Sequence, residues 1–282
     1  MIRDQSLNPA FDQPAAPRAA LPPRRSLGVA SLLRRRVQSA FFPAIDASYP
    51  ALTHRLRLVY NHSLGRGEPE LRYVQFLTDR KRAALDIGAH RGIYAHVLAR
   101  HAKHVHAFEP HPLLFTYLNR VMPSEVTVHP VALSSAEGTV KFRIPRAGSY
   151  LGLGQGTLEE LPIFHADAVT EIEVRSSTLD QIIQEPVGFV KIDVEGHELA
   201  TLEGARALLQ RDRPALMIEI ADDPALQHYQ RVLEFLGGFG YRPYWVDGGA
   251  LASVTSRGPT DAFFRASGPH GDILCANFIF LA

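Results

Sequence analysis

From about residue 83 onward, short apolar runs rich in Val and Ile alternate with longer segments in which apolar residues recur every three or four positions. The short runs predict β-strands and the longer segments predict α-helices. The predicted strands are Ala83–Ile87, Val105–Phe108, Val126–Ala132, Phe189–Val194, Ala215–Ile220, Arg242–Val246 and Cys275–Leu281. The predicted helices are Gly92–His101, Pro112–Val121, His197–Arg211 and Pro224–Gly237. Nearly continuous apolar strands joined by crossover helices indicate an α/β fold with a doubly wound, mostly parallel seven-stranded sheet.

Two further strand-like segments interrupt this alternation. Thr139–Ile144 and Glu171–Ser176 predict the two strands of an inserted β-hairpin. The residues between them, 145–170, have no clear period, and the Gly-rich residues 247–272 form a second long connection. Because long connections in compact domains usually serve function, both are candidate substrate-facing loops.

The residues before the main alternation divide into a tail and a helical part. Residues 1–25 are rich in Pro, Ala and Arg, and we expect a disordered basic tail. Apolar residues at helical spacing predict an amphipathic helix that begins near Ser26, and a second helical pattern covers Glu68–Arg80. We therefore expect a tail (1–25), an N-terminal helical extension (26–82) and one main domain (83–282).

The composition excludes several classes of protein. The 282 residues carry 30 Lys and Arg against 29 Asp and Glu, a net charge of +1, which does not favour a nucleic-acid partner. The longest uncharged and mostly apolar stretch, Ile273–Ala282, is well short of the roughly 20 residues that a transmembrane helix needs. The single cysteine, Cys275, permits no intramolecular disulfide, and the first residues lack the apolar core of a secretory signal. We expect a cytoplasmic protein without a transmembrane segment; its oligomeric state is not predicted.

The first chemical motif is a glycine turn after the strand Ala83–Ile87. The sequence LDIGAHRGIYA places Asp86 at the strand end and Gly88 and Gly92 before a helix. Glycines at this point allow a tight turn and a close approach of the backbone to a ligand. Their spacing, G-x-x-x-G, differs from the G-x-G-x-x-G that binds a dinucleotide, and the chain has no nucleotide-binding P-loop pattern.

An acidic residue ends the next strand. Glu109 lies 21 residues after Gly88, where a carboxylate can accept hydrogen bonds from both hydroxyls of a ribose. A site for ribose without one for pyrophosphate indicates S-adenosylmethionine as the ligand.

The second motif, FVKIDVEGHE, brings four polar side chains to the carboxyl end of one buried strand. These are Lys191, Asp193, Glu195 and His197. Glu219, near the end of the following strand, is predicted to face the same crevice. A capping or solvated side chain is a sufficient explanation for any one of them but not for the whole set.

These motifs resemble those of the FkbM-type S-adenosylmethionine-dependent methyltransferases over roughly residues 83–281. The matching segments are DIGAHRG (86–92), VHAFEPHP (105–112), VALSSAEG (131–138), STLDQI (177–182), VKIDVEGHE (190–198), LEGA (202–205), PALMIEI (214–220) and ANFIF (276–280). The resemblance implies a class I methyltransferase fold, Rossmann-like, that usually transfers methyl to a hydroxyl of a sugar or natural-product scaffold. The cofactor residues that it implies are Asp86, Gly88, Ala89, His90, Gly92, Glu109, Pro110, Ala132 and Asp193. His90 departs from the family, which usually has Asn at this position.

Methyl transfer to a hydroxyl requires in-line positioning and a base that takes the hydroxyl proton. The candidates for the base are His197, Asp193 and Glu195, and Lys191 completes the catalytic set. No metal is predicted; the alternative is a divalent cation bound by Asp193, Glu195, Glu219 and His197. For the histidines around the second strand, His101, His104, His106 and His111, a solvent-facing position is a simpler interpretation than a metal site.

Two other functions stay open at this point. The first is a non-catalytic protein that binds a nucleoside or glycan in the same crevice. The second is an NAD-dependent oxidoreductase, which the absent second glycine of the fingerprint disfavours. The atom that accepts the methyl group, whether hydroxyl oxygen, nitrogen or carboxylate, is also open.

Overall fold

The computed structural model describes residues 49–63, 69–145, 157–158, 169–222, 228–247, 250–254, 265–267 and 273–282. The strands are β1 (Ala83–Ile87), β2 (Val105–Phe108), β3 (Val126–His129), β4 (Ala132–Leu133), β5 (Gly138–Pro145), β6 (Val169–Ser177), β7 (Val187–Ile192), β8 (Ala215–Asp222), β9 (Arg242–Asp247), β10 (Ala250–Ser253), β11 (Arg265–Ser267) and β12 (Ile273–Leu281). The α-helices are α1 (Pro50–Ser63), α2 (Val74–Leu77), α3 (Ile93–Leu98), α4 (Pro112–Val121), α5 (Leu179–Ile182), α6 (Glu198–Glu203), α7 (Arg206–Asp212) and α8 (His228–Gly237). The predicted tail 1–25 and the helix predicted from Ser26 lie outside the described residues, as does most of the two long connections.

The main sheet has the strand order β10-β9-β12-β8-β7-β1-β2-β3, and β11 pairs with β12. The strands from β8 to β3 pair in parallel, whereas β12 runs antiparallel to both of its neighbours, β8 and β9. The doubly wound α/β fold is therefore confirmed. The predicted count of seven strands is too low for this sheet, because β10 and β11 are four and three residues long and too short to show a period.

A second sheet of three strands, β4-β6-β5, is built around the insertion. β5 and β6 pair antiparallel along their length, which confirms the predicted hairpin strands. The predicted strand Val126–Ala132 was wrong at its end, because the chain leaves the main sheet after His129 and Ala132 pairs with β6. Pro130 explains the break, since proline has no N–H to donate to a strand ladder.

Apolar side chains cover both faces of the main sheet. One face buries Leu85, Ile192 and Phe278 in one cluster, and the other buries Phe189 and Met217 in a second cluster. Burial on both faces explains why the central strands are apolar throughout. The small sheet has a separate core made of Ala132, Phe142, Ile144 and Val174.

Two predicted helices are interrupted. The segment predicted as Glu68–Arg80 is a 3-10 helix at Pro69–Tyr73 followed by the single turn α2. The helix predicted as His197–Arg211 is two helices, α6 and α7. It breaks at Gly204, where a Cβ atom would lie 2.1 Å from the carbonyl oxygen of Ser134, so the chain turns at a residue without one. Among the described helices, none has the length and apolar character that crossing a lipid bilayer requires.

Candidate active site

A cavity of about 470 Å³ lies at the carboxyl ends of β1, β2, β7 and β8. Its volume is within the usual range for pockets that bind small molecules. The residues that line it are Ile87, Gly88, His90, Phe108, Glu109, Pro110, His111, Leu114, Val131, Ala132, Leu133, Phe142, Thr157, Leu158, Asp193, Val194, Glu195, His197 and Glu219. The main sheet and the insertion therefore both contribute walls.

The turn after β1 depends on Gly88. Its φ is +77°, and a Cβ atom there would lie 1.8 Å from the carbonyl oxygen of Asp193. The N–H groups of Gly88 and Ala89 both donate to the carbonyl of Phe108 at 3.0 Å. The missing side chain thus allows the segment after β7 to pass directly against this turn, so that Asp193 reaches the cavity.

Three of the predicted cofactor residues shape the turn without lining the cavity. The buried Asp86 accepts a hydrogen bond from the N–H of Ala95 at 2.7 Å and so caps the first turn of α3. Ala89 is buried among apolar residues of the sheet face, and Gly92 packs against the side chain of Met122. The other predicted cofactor residues, Gly88, His90, Glu109, Pro110, Ala132 and Asp193, all line the cavity.

Glu109 is only 4% exposed, and both of its carboxylate oxygens accept backbone hydrogen bonds. Oε2 accepts from the N–H of His90 at 2.8 Å and Oε1 from the N–H of His111 at 2.9 Å. Burial raises the pKa of Glu109 to about 7 against the opposing effect of these two hydrogen bonds. Since each carboxylate oxygen has a further lone pair, the group can also accept hydrogen bonds from two ligand hydroxyls.

The residue that departs from the family pattern, His90, acts here through its backbone. Its φ is +47°, a left-handed conformation in which Asn and His are both enriched. The exchange of Asn for His therefore preserves the N–H that donates to Glu109.

The prediction of solvent-facing histidines was wrong for His111. It is 5% exposed, lines the cavity, and accepts a hydrogen bond at Nδ1 from the N–H of Leu113, the second residue of α4. Burial lowers the pKa of His111, which favours the neutral ring. His106 is also bonded rather than solvated: its ring nitrogens lie 2.9 Å from His129 Nε2 and from Glu185 Oε1.

The polar residues of the second motif form an acidic wall above a buried lysine. Asp193, Glu195 and Glu219 line the cavity, whereas Lys191, 1% exposed, lies beneath them. Its Nζ is 3.1 Å from Asn277 Oδ1, 3.7 Å from Asp193 Oδ2 and 3.9 Å from Glu219 Oε2. Lys191 therefore offsets part of the negative charge from below the site.

Asn277 was not predicted as a site residue from the sequence. It is a polar residue inside the apolar strand β12, directly opposite Glu219 on β8. An amide in the middle of an apolar run was the available signal, because a buried polar side chain needs a partner.

Glu195 follows β7 in a left-handed conformation with a φ of +51°. Burial, and then the nearby carboxylates of Asp193 and Glu219, raise the pKa of Glu195 well above its ordinary value. His197 also lines the cavity, with its Nε2 3.0 Å from Ser134 Oγ.

Two members of the alternative metal set, Asp193 and Glu219, lie close to the ammonium of Lys191. In the part of the chain that the structure describes, no three His, Cys, Asp or Glu side chains converge to hold a metal ion. The ammonium of Lys191 lies 3.7 Å from a carboxylate oxygen of Asp193 and 3.9 Å from one of Glu219, and already supplies a positive charge there.

The comparison with protein families decides the classification. Residues 86–243, more than half of the chain, match the methyltransferase FkbM domain. The chain belongs to the FkbM methyltransferase family. The matched residues include both the glycine turn and the acidic wall, and the resemblance identified from the sequence is confirmed.

Solved structures resemble this FkbM protein at low sequence identity. An FkbM methyltransferase from Methylobacillus flagellatus KT is 16% identical, with 89% of this chain and 60% of that chain covered and a TM-score of 0.42. An rRNA methylase from Streptococcus thermophilus is 14% identical (77% and 97% covered, TM-score 0.42). SMU.1697c from Streptococcus mutans, solved in complex with SAH, is 12% identical (76% and 96% covered, TM-score 0.43). This chain thus spans less than two thirds of the M. flagellatus protein, and no curated protein matches it significantly.

Proposed function

We propose that this protein is an S-adenosylmethionine-dependent O-methyltransferase that acts on a hydroxyl of a neutral acceptor, a sugar or a hydroxylated natural-product scaffold. One observation carries the proposal beyond the family. The described residues that line the cavity include four carboxyl side chains, Glu109, Asp193, Glu195 and Glu219, and neither Lys nor Arg.

The residues present fit the proposed cofactor. In this proposal Glu109 accepts hydrogen bonds from the two ribose hydroxyls, and the N–H groups of His90 and His111 hold its carboxylate in place. Negative charge at Asp193 and Glu219 complements a sulfonium cation. S-adenosylmethionine supplies, when bound, an electrophilic methyl group on that sulfonium.

The same charges select the acceptor. A phosphate or carboxylate close to Asp193 and Glu219 would place like charges together in a partly dry site, which costs several kcal/mol. Nucleic acids and phosphorylated sugars are therefore disfavoured at the reacting position. A neutral sugar meets no such repulsion, and Phe142 and Leu158 offer an apolar surface for its ring face.

Glu195 is the group that we assign as the base. The acceptor hydroxyl must lose its proton as its oxygen attacks the methyl carbon, and a carboxylate with a raised pKa is a stronger base than an ordinary one. The pKa of Glu195 is raised by burial and by its acidic neighbours. The ammonium of Lys191, close to Asp193 and Glu219, supplies a positive charge that partly balances these carboxylates. The proton leaves the acceptor oxygen for the Glu195 carboxylate.

The first experiment combines calorimetry with an acceptor panel. S-adenosylmethionine should bind to the purified protein and NAD should not. Neutral methyl glycosides and flavonoid aglycones should support the formation of S-adenosylhomocysteine, whereas glucose 6-phosphate and tRNA should not. Methylation of tRNA in preference to every neutral compound would overturn the acceptor assignment. Cofactor binding without turnover of any compound would favour a binding protein instead.

Matched variants test the base. Glu195→Gln should lower kcat on the best glycoside at least about 100-fold, the range expected for the loss of a general base, and leave the cofactor Kd nearly unchanged. Glu173→Gln, an exposed position on β6, is the control and should behave as the wild type. A larger loss in His197→Gln than in Glu195→Gln would transfer the role to His197.

A further inference from the structure

The peptide group between Glu195 and Gly196 is held from both sides. Its carbonyl oxygen accepts a hydrogen bond from Thr157 Oγ1 at 2.8 Å, and its N–H donates to Glu198 Oε1 at 2.9 Å. Both flanking residues have positive φ, +51° at Glu195 and +99° at Gly196. A left-handed residue that is not glycine is strained and persists only where its surroundings fix it.

Thr157 belongs to the insertion rather than to the main sheet. It is 1% exposed, and its backbone pairs with that of Arg143 on β5 through two hydrogen bonds of 2.8 and 3.0 Å. The Arg143 guanidinium in turn donates to the Leu158 carbonyl at 3.1 Å and to Glu171 Oε1 at 3.0 Å. The pairing of Thr157 with β5 of the small sheet therefore places its hydroxyl against the backbone carbonyl of Glu195.

Glu198 holds the other end of the peptide group. It is fully buried in the first turn of α6, where Oε1 accepts from Gly196 and Oε2 pairs with His228 at the start of α8. Rotation of the Glu195–Gly196 peptide would break both hydrogen bonds at once. It would change ψ of Glu195 and φ of Gly196, and so disturb the backbone at the Cα that carries the Glu195 side chain.

We propose that Thr157 is a positioning residue for Glu195, so that the inserted sheet completes the active site of the main domain. The inference rests on the proposed function, in which Glu195 is the base. Thr157 touches neither reacting atom in this role. It fixes the backbone from which the Glu195 carboxylate reaches the acceptor.

Thr157→Val and Thr157→Ser test this role, because Val removes the hydroxyl at nearly constant shape and Ser retains it. With the most active methyl glycoside of the panel, Thr157→Val should lower kcat about tenfold, since small misplacements of a reacting group are costly. The Kd for S-adenosylmethionine should change less than about twofold, because Glu109 is untouched. Thr157→Ser should restore kcat to near the wild-type value.

A second measurement is independent of the acceptor. Backbone amide exchange, followed by mass spectrometry over residues 193–198, should be about tenfold faster in Thr157→Val than in the wild type and unchanged in Thr157→Ser. If wild-type protein turns over no glycoside, the proposed function fails, and amide exchange alone decides whether Thr157 holds the peptide. Unchanged exchange in Thr157→Val, or equal losses of kcat in both variants, would overturn the proposal.

Discussion

The protonation state of a single residue in this site can depend on a competition between burial and hydrogen bonding. At Glu109, burial favours the neutral acid while two backbone N–H groups favour the carboxylate, and the outcome is a pKa of about 7. An unfolded chain would release this proton near pH 4.5. Between these values the folded chain binds the extra proton, so raising the pH lowers the free energy of unfolding.

Binding of S-adenosylmethionine should therefore tighten as the pH rises. The ribose hydroxyls donate to the ionised Glu109, so Kd should fall by up to about tenfold per pH unit below 7 and level off above it. Calorimetry at pH 6, 7 and 8 measures this directly. Glu109→Gln should bind weakly with little pH dependence, and Glu195→Gln should retain the wild-type slope. A wild-type Kd that is constant from pH 6 to 8 would contradict the role of Glu109.

At the scale of elements, the site is formed by turns that follow strands. The segment after β7 reaches the cavity because the turn after β1 presents Gly88 and no side chain to it. The N–H of Asp193 also donates to the carbonyl of Ile87 at 2.9 Å, which extends the pairing of β1 and β7 by one residue. The two motifs that are remote in sequence are thus one structural unit.

Gly88→Ala should break this unit. The new Cβ would combine a left-handed backbone with overpacking against Asp193, and the free energy of unfolding should fall by about 3 kcal/mol or more. Gly237→Ala, in α8, is the control, because nothing lies within 4 Å of its Cβ, and it should raise stability by up to about 1 kcal/mol. Urea denaturation measures both. Equal stability of the two variants would show that the turn tolerates a side chain.

Elements with a strong local pattern were predictable from the sequence. β1, β2 and α4 have the predicted bounds, because continuous burial or a helical period marks each of them. The hydrogen bonds that hold Glu195 and Lys191 in the site were not predictable, since they join residues far apart in the chain. Thr157 and Glu195 are 38 positions apart, and Lys191 and Asn277 are 86 positions apart. Only the folded topology brings such pairs together.

The whole molecule combines two sheets of unequal size. The main sheet has buried clusters on both faces, whereas the small sheet has four buried residues in its own cluster. Phe142 belongs to that small cluster and also lines the cavity. One wall of the cavity therefore depends on the part of the fold with the smaller core.

Native-state hydrogen exchange should separate the two sheets. Amides of β5 and β6 should exchange through local opening at lower free energy than those of β1 and β7, because fewer apolar contacts oppose their opening. S-adenosylmethionine alone should protect β1 and β2 most, and an added acceptor should protect β5. Identical exchange free energies in the two sheets would mean that they unfold as one cooperative unit.

The position of β12 has a consequence for how the chain folds during its synthesis. β12 follows every other described strand in the sequence, yet it lies between β8 and β9 inside the sheet. During synthesis, β8 and β9 emerge from the ribosome with unpaired edges, and Lys191 emerges without Asn277. The buried ammonium gains that partner only when residues 273–281 insert. The nascent chain thus exposes unpaired edges of β8 and β9 until β12 inserts between them. We expect it to depend most on chaperones during this interval.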